Sequence, residues 1–543
     1  MVGGYGVFGE RLLRLLARDG HALWVAGRDL GRATALANEL GAQALQLDRA
    51  GDLSALARIK PDVLVDAAGP FHAYGEHPFR LVEACLEAGI NYLDLCDDAD
   101  FCAGISTLDA LAKSRGLYAL SGASSVPAIS SAAVVELAQD MGEIETINSV
   151  ILPGNRAPRG RSVIASILAQ CGAKGRQWRA GRWQPLRGWS EPRTFVLELH
   201  PVKRRRAWLV KVPDLTLFPA YFRARSVSFR AGLELPLMNH FLAALSWLRG
   251  GWPFAVPQSV IPLIERLANM LLSFGSDVGG MQVEVAGRVN RDGQAHARKR
   301  RWTLLAIGGD GPYVPAIAVR ALLRGPRPAA GTRPCIAEVS LAQIEAAMAD
   351  LAISFRRDEA PIIALIEQLA DVDVGQLPAS VRASHQVIGV MRLVGTADIE
   401  RGTGLLARLT AAACRFPPAG VRVAVEVTKQ QEDDGESWER NFAGRRFTSH
   451  LALRGQRISE RFGPLRFNLG LHAADAALHF PVVGGSAFGI PVPLFLLPRS
   501  VAREFDVDGR FHFDVALYMP ITGDLIVRYR GSLVEAKGQP ESW

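Results

Sequence analysis

Along the first 125 residues, short apolar runs alternate with segments whose apolar residues recur at helical spacing. The runs at 22–26, 43–47, 63–67, 91–95 and 117–120 have the length of buried strands, and segments such as 30–40 and 78–88 carry the helical pattern between them. That rhythm predicts a doubly wound parallel sheet of the α/β class. From about 126 the pattern changes. Loops lengthen, a Pro-punctuated apolar stretch covers 233–274, and a strand pair is predicted at 281–289 and 301–307. A helix follows over about 314–323, a Gly/Pro-rich loop over 324–334, and a helix with a linker over 351–380. Beyond 381 the pattern is strand-like. Val421, Val423, Val425 and Val427 alternate with Arg422, Ala424, Glu426 and Thr428, and Phe511, Phe513, Val515 and Leu517 alternate with His512, Asp514, Ala516 and Tyr518. Such alternation puts one face on a core and predicts a curved antiparallel sheet or open barrel.

The length of 543 residues exceeds what one core organises, and 49% hydrophobic with 21% charged residues excludes a disordered chain. Six scattered cysteines form no CxxC pair, and no signal-peptide pattern opens the chain, so a reducing cytoplasm is expected. The eleven histidines show no HxxxH spacing, and His72 and His77 beside Glu76 lack further ligand-type neighbours, so no metal is expected. Charge changes the picture more. Of the net +8, the stretch from Arg156 to Arg230 holds 17 Lys or Arg against three acids (Glu191, Glu198, Asp214), which is +14 and leaves about −6 for the rest.

The chemistry-bearing motif lies at the start. Gly4-Tyr5-Gly6-Val7-Phe8-Gly9 has dinucleotide-turn spacing and runs into an amphipathic helix beginning at Glu10. Gly4 would allow the tight turn, Gly6 the approach of a diphosphate, and Gly9 the packing of helix on strand, with the helix N-terminus offering unpaired amides. Only Met1, Val2 and Gly3 precede the turn, where a strand of five or six residues is usual; a truncated first strand is therefore expected. Each buried apolar side chain missing from such a strand would forgo about 1.5–3 kcal/mol. The second strand ends Gly27-Arg28-Asp29. A guanidinium at Arg28 favours NADP over NAD, while Asp29 as a ribose ligand is the alternative. Ala68-Gly69-Pro70, after the 63–67 strand, and Asp48, after the 43–47 strand, complete the cofactor candidates. Tyr92 and Asp94 are the candidates for positioning or proton relay, against a reading in which Tyr92 packs and Asp94 caps a loop.

Gly-Gly-Tyr-Gly-x-Phe-Gly, Ala26-Gly27-Arg28-Asp29, Ala67-Ala68-Gly69-Pro70-Phe71 with Tyr74-Gly75, and Asn91-Tyr92-Leu93-Asp94-Leu95 together resemble the saccharopine-dehydrogenase-like oxidoreductase family. The resemblance is close over 1–125 and looser over 126–350, through Gly122 to Pro127 and Gly309 to Val314. Residues 381–543, with Glu436-x-Trp438-x-Arg440-x-Phe442 and Arg461-Phe462-Gly463-Pro464, are similar to a bacterial domain of unknown function found appended to such oxidoreductases. The resemblance implies a Rossmann NAD(P)-binding domain (1–125), an inserted α+β substrate domain (126–350), a helix returning to the Rossmann side, and a β-rich C-terminal domain (381–543). It implies an NADP-linked reductase and leaves the substrate open, since family members act on amino-acid-derived imines or on lipidic chains.

Two regions bear on the substrate and partners. In the basic stretch, Arg156, Arg159 and Arg161 precede Trp178, Trp183 and Trp189 among Arg176, Arg179, Arg182 and Arg187, and Lys203 to Trp208 follows. It could meet phosphates or carboxylates of a carrier-linked substrate or lipid headgroups, or be a solvated face with tryptophans in a core; no nucleic-acid module accompanies it. Segments 235–248 and 260–274 are too short to span a bilayer but could dock peripherally on the inner membrane face or pack on the substrate domain. The leading expectation is a cytoplasmic NADP(H)-dependent oxidoreductase of a small-molecule or lipid-like substrate, with a third domain able to hold an apolar ligand. The alternative is a non-catalytic nucleotide-binding scaffold or sensor that docks on membranes.

Overall fold

The computed structural model describes the chain except residues 159, 198–203, 253–256, 292, 371, 415, 433, 537 and 539–543, and the side chains of 162, 258 and 413. Arg159, Glu198 and Lys203 of the basic stretch thus lie outside the described residues. All five expected N-terminal strands form. β1 (Trp24–Gly27) pairs in parallel with β2 (Gln43–Gln46), and β3 (Val63–Asp66), β4 (Asn91–Asp94) and β5 (Tyr118–Ser121) pair in parallel in that order. Val2 joins the two groups, bridging Ala26 on one side and Asp66 on the other. Its amide donates to the Val65 carbonyl and its carbonyl accepts from the Ala67 amide, both at 2.9 Å. Met1–Gly3 therefore stands at the central strand position. Helix α1 (Val7–Arg18) buries Leu12, Leu13, Leu15 and Leu16 against the sheet, and α2 (Leu30–Leu40) begins at Asp29.

The expected loop over 324–334 is corrected: Gly331–Pro334 is a strand, parallel to β5 and at the sheet edge. An edge strand tolerates the proline that made the segment read as a loop. The preceding helix, Ile317–Arg324, starts one 3₁₀ turn later than expected and packs on α1. Arg320, only 1% exposed, donates to both oxygens of Asp19 at 2.8 and 2.9 Å and to Asp350, tying the returning segment to the end of α1. A guanidinium buried this deeply is tolerable because both carboxylates satisfy it.

The second layer is a seven-stranded mixed sheet, in the order Ile353–Pro361, Gln294–Ala306, Gly279–Arg291, Met141–Leu152, Ser226–Ala231, Arg205–Leu209, Arg193–Phe195. The hairpin expected at 281–289 and 301–307 is longer, thirteen residues on each side. The helix and linker expected over 351–380 are corrected too: Ile353–Pro361 is a third antiparallel strand beside that hairpin. Charged runs hid both. Arg300 pairs with Glu359 at 3.0 Å and Arg301 with Glu284 at 2.6 Å, so charges that looked solvated are cross-strand partners. One core runs through both layers, containing Leu12, Leu93, Ile147, Trp302 and Ile317.

The C-terminal domain has its own core, beneath a thirteen-stranded antiparallel sheet centred on Gly420–Glu432. Val425, Val427 and the row Phe511, Phe513, Val515 and Leu517 face its interior, as their alternation predicts, whereas Val421 is exposed. The domain is tied to the seven-stranded sheet by Arg225, which bridges Glu145 at 3.2 Å and Glu535 at 2.6 Å, and to the separate hairpin Lys174–Arg179 with Arg182–Arg187 by Arg182 with Glu426 and Arg179 with Gln430.

Candidate functional site

Because β1 to β5 are parallel, the segments leaving their carboxyl ends gather along one edge with the glycine turn. That edge is where ligands bind in open α/β sheets. Gly6 precedes the first turn of α1 and no side chain caps it, leaving the first-turn amides around Val7, Phe8 and Gly9 available for an anion. The glycine roles differ from those the spacing suggested. Gly3, not Gly4, takes the left-handed turn (φ 71°), and a β-carbon there would come within 2.7 Å of Ala68 Cα. Gly4 instead leaves room for the Leu13 side chain, and a β-carbon at Gly9 would run into the Gly3 carbonyl. The turn and the Ala67–Ala68 backbone are thus pressed together with no room for side chains between them.

At the β1 tip, the Tyr5 ring lies across Gly27, and its hydroxyl accepts from the Asp29 amide at 2.9 Å. Arg28 is exposed there. Arg32, which the sequence pattern did not single out, stacks over the Tyr5 ring at 4.6 Å and donates to the Tyr5 carbonyl at 3.2 Å. Its signal was its place four residues after Arg28, on the first turn of α2. Asp29 Oδ1 accepts from the Arg32 amide at 3.0 Å, so one oxygen of the alternative ribose ligand is spent capping α2. Asp48 stands exposed beyond the end of β2, accepting from the Ala50 amide at 3.1 Å.

Two buried carboxyls in register on β3 and β4 shape the edge further in. Asp66 accepts from the Ala68 amide at 2.9 Å and from the Tyr74 hydroxyl at 3.0 Å, fixing the start of Ala68-Gly69-Pro70. Burial raises its pKa, against the pull of those bonds. Asp94 Oδ1 accepts from Gly122 N at 2.7 Å, Cys96 N at 3.0 Å and Ser121 Oγ at 3.0 Å, while Oδ2 has no partner. Burial pushes the Asp94 pKa up to about 7, outweighing the three bonds. Tyr92 is wholly buried one strand repeat inward, close to both Asp66 and Asp94, and burial raises its pKa. The structure therefore places Tyr92 and Asp94 at the carboxyl edge of the sheet, behind its surface.

Asp214 figures in the sequence pattern only as a charge. It is fully buried at the start of the helix Pro213–Tyr221, with Ser130 alongside, and burial raises its pKa to about 7, against the pull of a hydrogen bond from Ser130. Pro-Asp at a helix start reads as ordinary capping, which concealed it. Part of the basic stretch is consumed internally: Arg205 binds Glu234 at 3.0 Å, Arg230 is buried, and Arg225 and Arg182 serve the interdomain contact, while Arg156, Arg176, Arg187, Arg204, Arg206 and Arg223 are exposed. Trp178, Trp189 and Trp208 are buried, and Trp183 stacks with Arg176. Among the described residues, no three His, Cys, Asp or Glu side chains gather to hold a metal, and no helix is long and apolar enough to cross a membrane.

Asp94 makes a pH prediction. Its proton is held to about pH 7 in the folded chain, against 3.8 for an ordinary Asp, so folding takes up a proton between those values. Stability should therefore fall as pH rises through that window, by about 1.4 kcal/mol per unit from this group. Asp94→Asn removes the slope: urea titrations from pH 4 to pH 7 should show the variant gaining on the wild type by about that much per unit. A difference that stays constant across the window would contradict the buried, protonated carboxyl.

Residues 1–123 match the family model of the saccharopine dehydrogenase NADP binding domain, and residues 377–533 match that of a domain of unknown function, DUF4166. Among solved structures the chain is similar to apo saccharopine dehydrogenase (L-Glu forming) from Saccharomyces cerevisiae, at 15% identity over 66% of this chain and 98% of that one, with a TM-score of 0.47. It is also similar to the WlbA (WbpB) dehydrogenase from Thermus thermophilus in complex with NAD and UDP-GlcNAcA (15% identity, 64% and 92% covered, TM-score 0.30). A dehydrogenase from Chromobacterium violaceum is similar as well (14% identity, 56% and 73% covered, TM-score 0.26). No curated protein matches. The chain thus joins an oxidoreductase-type domain, the saccharopine dehydrogenase NADP binding domain, to a C-terminal DUF4166 domain.

Proposed function

We propose that the protein is an NADP(H)-dependent oxidoreductase whose substrate is lipidic or carrier-linked. The observation that carries the cofactor reading is the pair of guanidiniums, Arg28 and Arg32, at the β1 tip, where the acidic residue is engaged in capping α2. The residues present fit such a cofactor: at Gly3 and Gly9 a β-carbon would meet backbone, and the amides opening α1 are uncapped. Those amides would hold the diphosphate, Arg28 and Arg32 the 2′-phosphate, and the Ala68-Gly69-Pro70 backbone the nicotinamide side. When bound, the cofactor supplies or accepts a hydride. Asp66 and Asp94 hold the strand-end loops in place, with Tyr92 as the buttress beneath them; all three act as positioning residues.

Fluorescence titration of the full chain tests the reading. NADPH should bind at least tenfold tighter than NADH, and Arg28→Ala or Arg32→Ala should each weaken NADPH by about 1.5–3 kcal/mol, roughly ten- to a hundredfold, with NADH little changed. Equal affinities for the two nucleotides in the wild type would overturn the NADP assignment.

The lipidic part of the proposal draws on the segment 235–274. On the helix Pro236–Gly251 and just past it, Leu237, Phe241 and Trp252 are 71%, 56% and 77% exposed along one side, and Leu263, Leu267, Met270 and Phe274 form a second outward stripe. Such stripes suit shallow insertion into a membrane surface. Flotation with anionic vesicles should recover the wild type, and Phe241→Glu with Leu267→Glu should reduce the floated fraction; an unchanged fraction would rule out this segment as the docking surface.

A further inference from the structure

The DUF4166 domain encloses a cavity of about 560 Å³, within the size range of small-molecule sites. Its walls are the inward rows of the sheet, among them Val425, Val427, Phe442, Phe513, Val515 and Leu517. Strand register gives the cavity two different ends. One end gathers the loops at 402–419, 443–444, 463–464, 488–489, 493–498 and 519–524, because Arg401, Phe442, Phe462, Ala487, Arg499 and Tyr518 all stand at that limit of their strands. Towards the opposite end lie Lys429, Trp438 and Glu504, with Arg440 and Glu460 nearer the middle.

The polar groups of the floor are unevenly matched. Glu504 pairs with His385 at 2.5 Å, Glu460 with Arg440 at 3.1 Å, and Glu436 accepts from Trp438 Nε1 at 2.7 Å. Lys429 is 2% exposed. It donates to the Ser384 carbonyl at 2.7 Å and lies over the Trp438 ring at 3.8 Å, but it has no carboxylate within ion-pair distance among the described residues. Glu504 and Glu436 act on it only from beyond contact distance; a buried ammonium lining a largely apolar chamber with no carboxylate in contact is costly, and an anionic ligand would relieve that cost. Burial lowers its pKa to about 8, which still leaves it mainly charged at neutral pH.

The other end is greasy on its outside. Leu405, Leu409, Phe488, Ile490, Phe495 and Ile521 are exposed on its loops, Phe488 and Ile521 at 82% and 83%. Thr410 and Cys414, from the same helical loop as Leu405 and Leu409, line the cavity, as do Pro464 and Pro498. The exposed apolar residues therefore rim the chamber. Exposed Arg408, Arg422, Arg445 and Arg499 stand on the same end of the sheet. Apolar loops fringed by arginine suit entry between anionic headgroups.

We infer that the DUF4166 domain is a binding chamber for a single-chain anionic amphiphile, drawn from a bilayer through the 405–409, 488–495 and 521 loops, its carboxylate at Lys429 and its hydrocarbon along the Val425–Phe442–Leu517 walls. The inference rests on the C-terminal domain alone and stands or falls apart from the nucleotide reading.

The test titrates the full chain with cis-parinaric acid and displaces it with palmitate or with hexadecanol. One acid should bind per chain. Lys429→Met should weaken palmitate at least tenfold and leave hexadecanol within twofold, Lys429→Arg should restore palmitate, and Val515→Trp should abolish both, each variant keeping the wild-type thermal midpoint within a few degrees. Should Lys429→Met lose its fold, the wild-type preference for palmitate over hexadecanol and the Lys429→Arg variant carry the test. Uptake of the acid from anionic vesicles should slow at least fivefold in Phe488→Ser with Ile490→Ser while affinity in solution is unchanged. Failure of the folded wild type to bind the acid would overturn the chamber, equal loss of acid and alcohol in Lys429→Met would overturn the head-group assignment, and unchanged uptake would overturn the bilayer route.

Discussion

The N-terminal domain depends on a contact made chiefly by backbone. Val2 is the only bridge that joins β1 to β3 among the described residues, and the next residue, Gly3, presses its turn onto Ala67 and Ala68. Two groups of parallel strands become one sheet through that segment, and the same closeness sets the amides of α1 beside the Ala68-Gly69-Pro70 backbone. The glycine turn is thus a joint of the sheet as well as a cradle. Any β-carbon introduced at Gly3 or Gly9 would have to move backbone, which is why the two roles cannot be separated by substitution.

Buried charge is arranged around that joint in two ways. Where it holds segments together it is paired: Arg320 with Asp19 and Asp350, and Arg225 with Glu145 and Glu535. At the strand ends, Asp66 and Asp94 are held instead by amides and hydroxyls, and burial raises both pKa values. Pairing fixes one segment to another, while a buried carboxyl that collects several backbone donors fixes the shape of the loop it receives them from. The strand-end loops, on which a bound nucleotide would rest, are of the second kind.

The sequence shows the N-terminal domain clearly because its strands are short apolar runs separated by helical spacing, a rhythm that few folds other than a parallel α/β sheet produce. It conceals strands whose charges are spent sideways: Arg298–Arg301 and Arg356–Glu359 look like solvated segments until Arg300 and Glu359 are seen facing each other. Gly331–Pro334 was hidden by composition, since the edge position that excuses its proline is a property of the sheet. The candidate site's backbone was legible where a motif spells out a close approach, as at Gly9, where a β-carbon would meet the Gly3 carbonyl, and Arg28 was legible as the residue after a strand end. Arg32, Asp214 and Lys429 were not, because a ring across the turn, a helix start against another domain, and a cavity wall are made by tertiary packing. The basic stretch divides: Arg182, Arg205 and Arg225 enter internal or interdomain pairs, Trp178, Trp189 and Trp208 are buried, and Arg176, Arg187, Arg204 and Arg206 stay exposed.

One edge of the N-terminal sheet, from the glycine turn to the Asp66 loop, is the proposed seat of NADP(H). Hydrogen–deuterium exchange of the full chain with and without NADPH addresses it directly. Exchange should slow in three separate stretches, 3–9, 27–32 and 66–70, with the C-terminal sheet unaffected. Binding of NADPH with no slowing in those stretches would contradict the account.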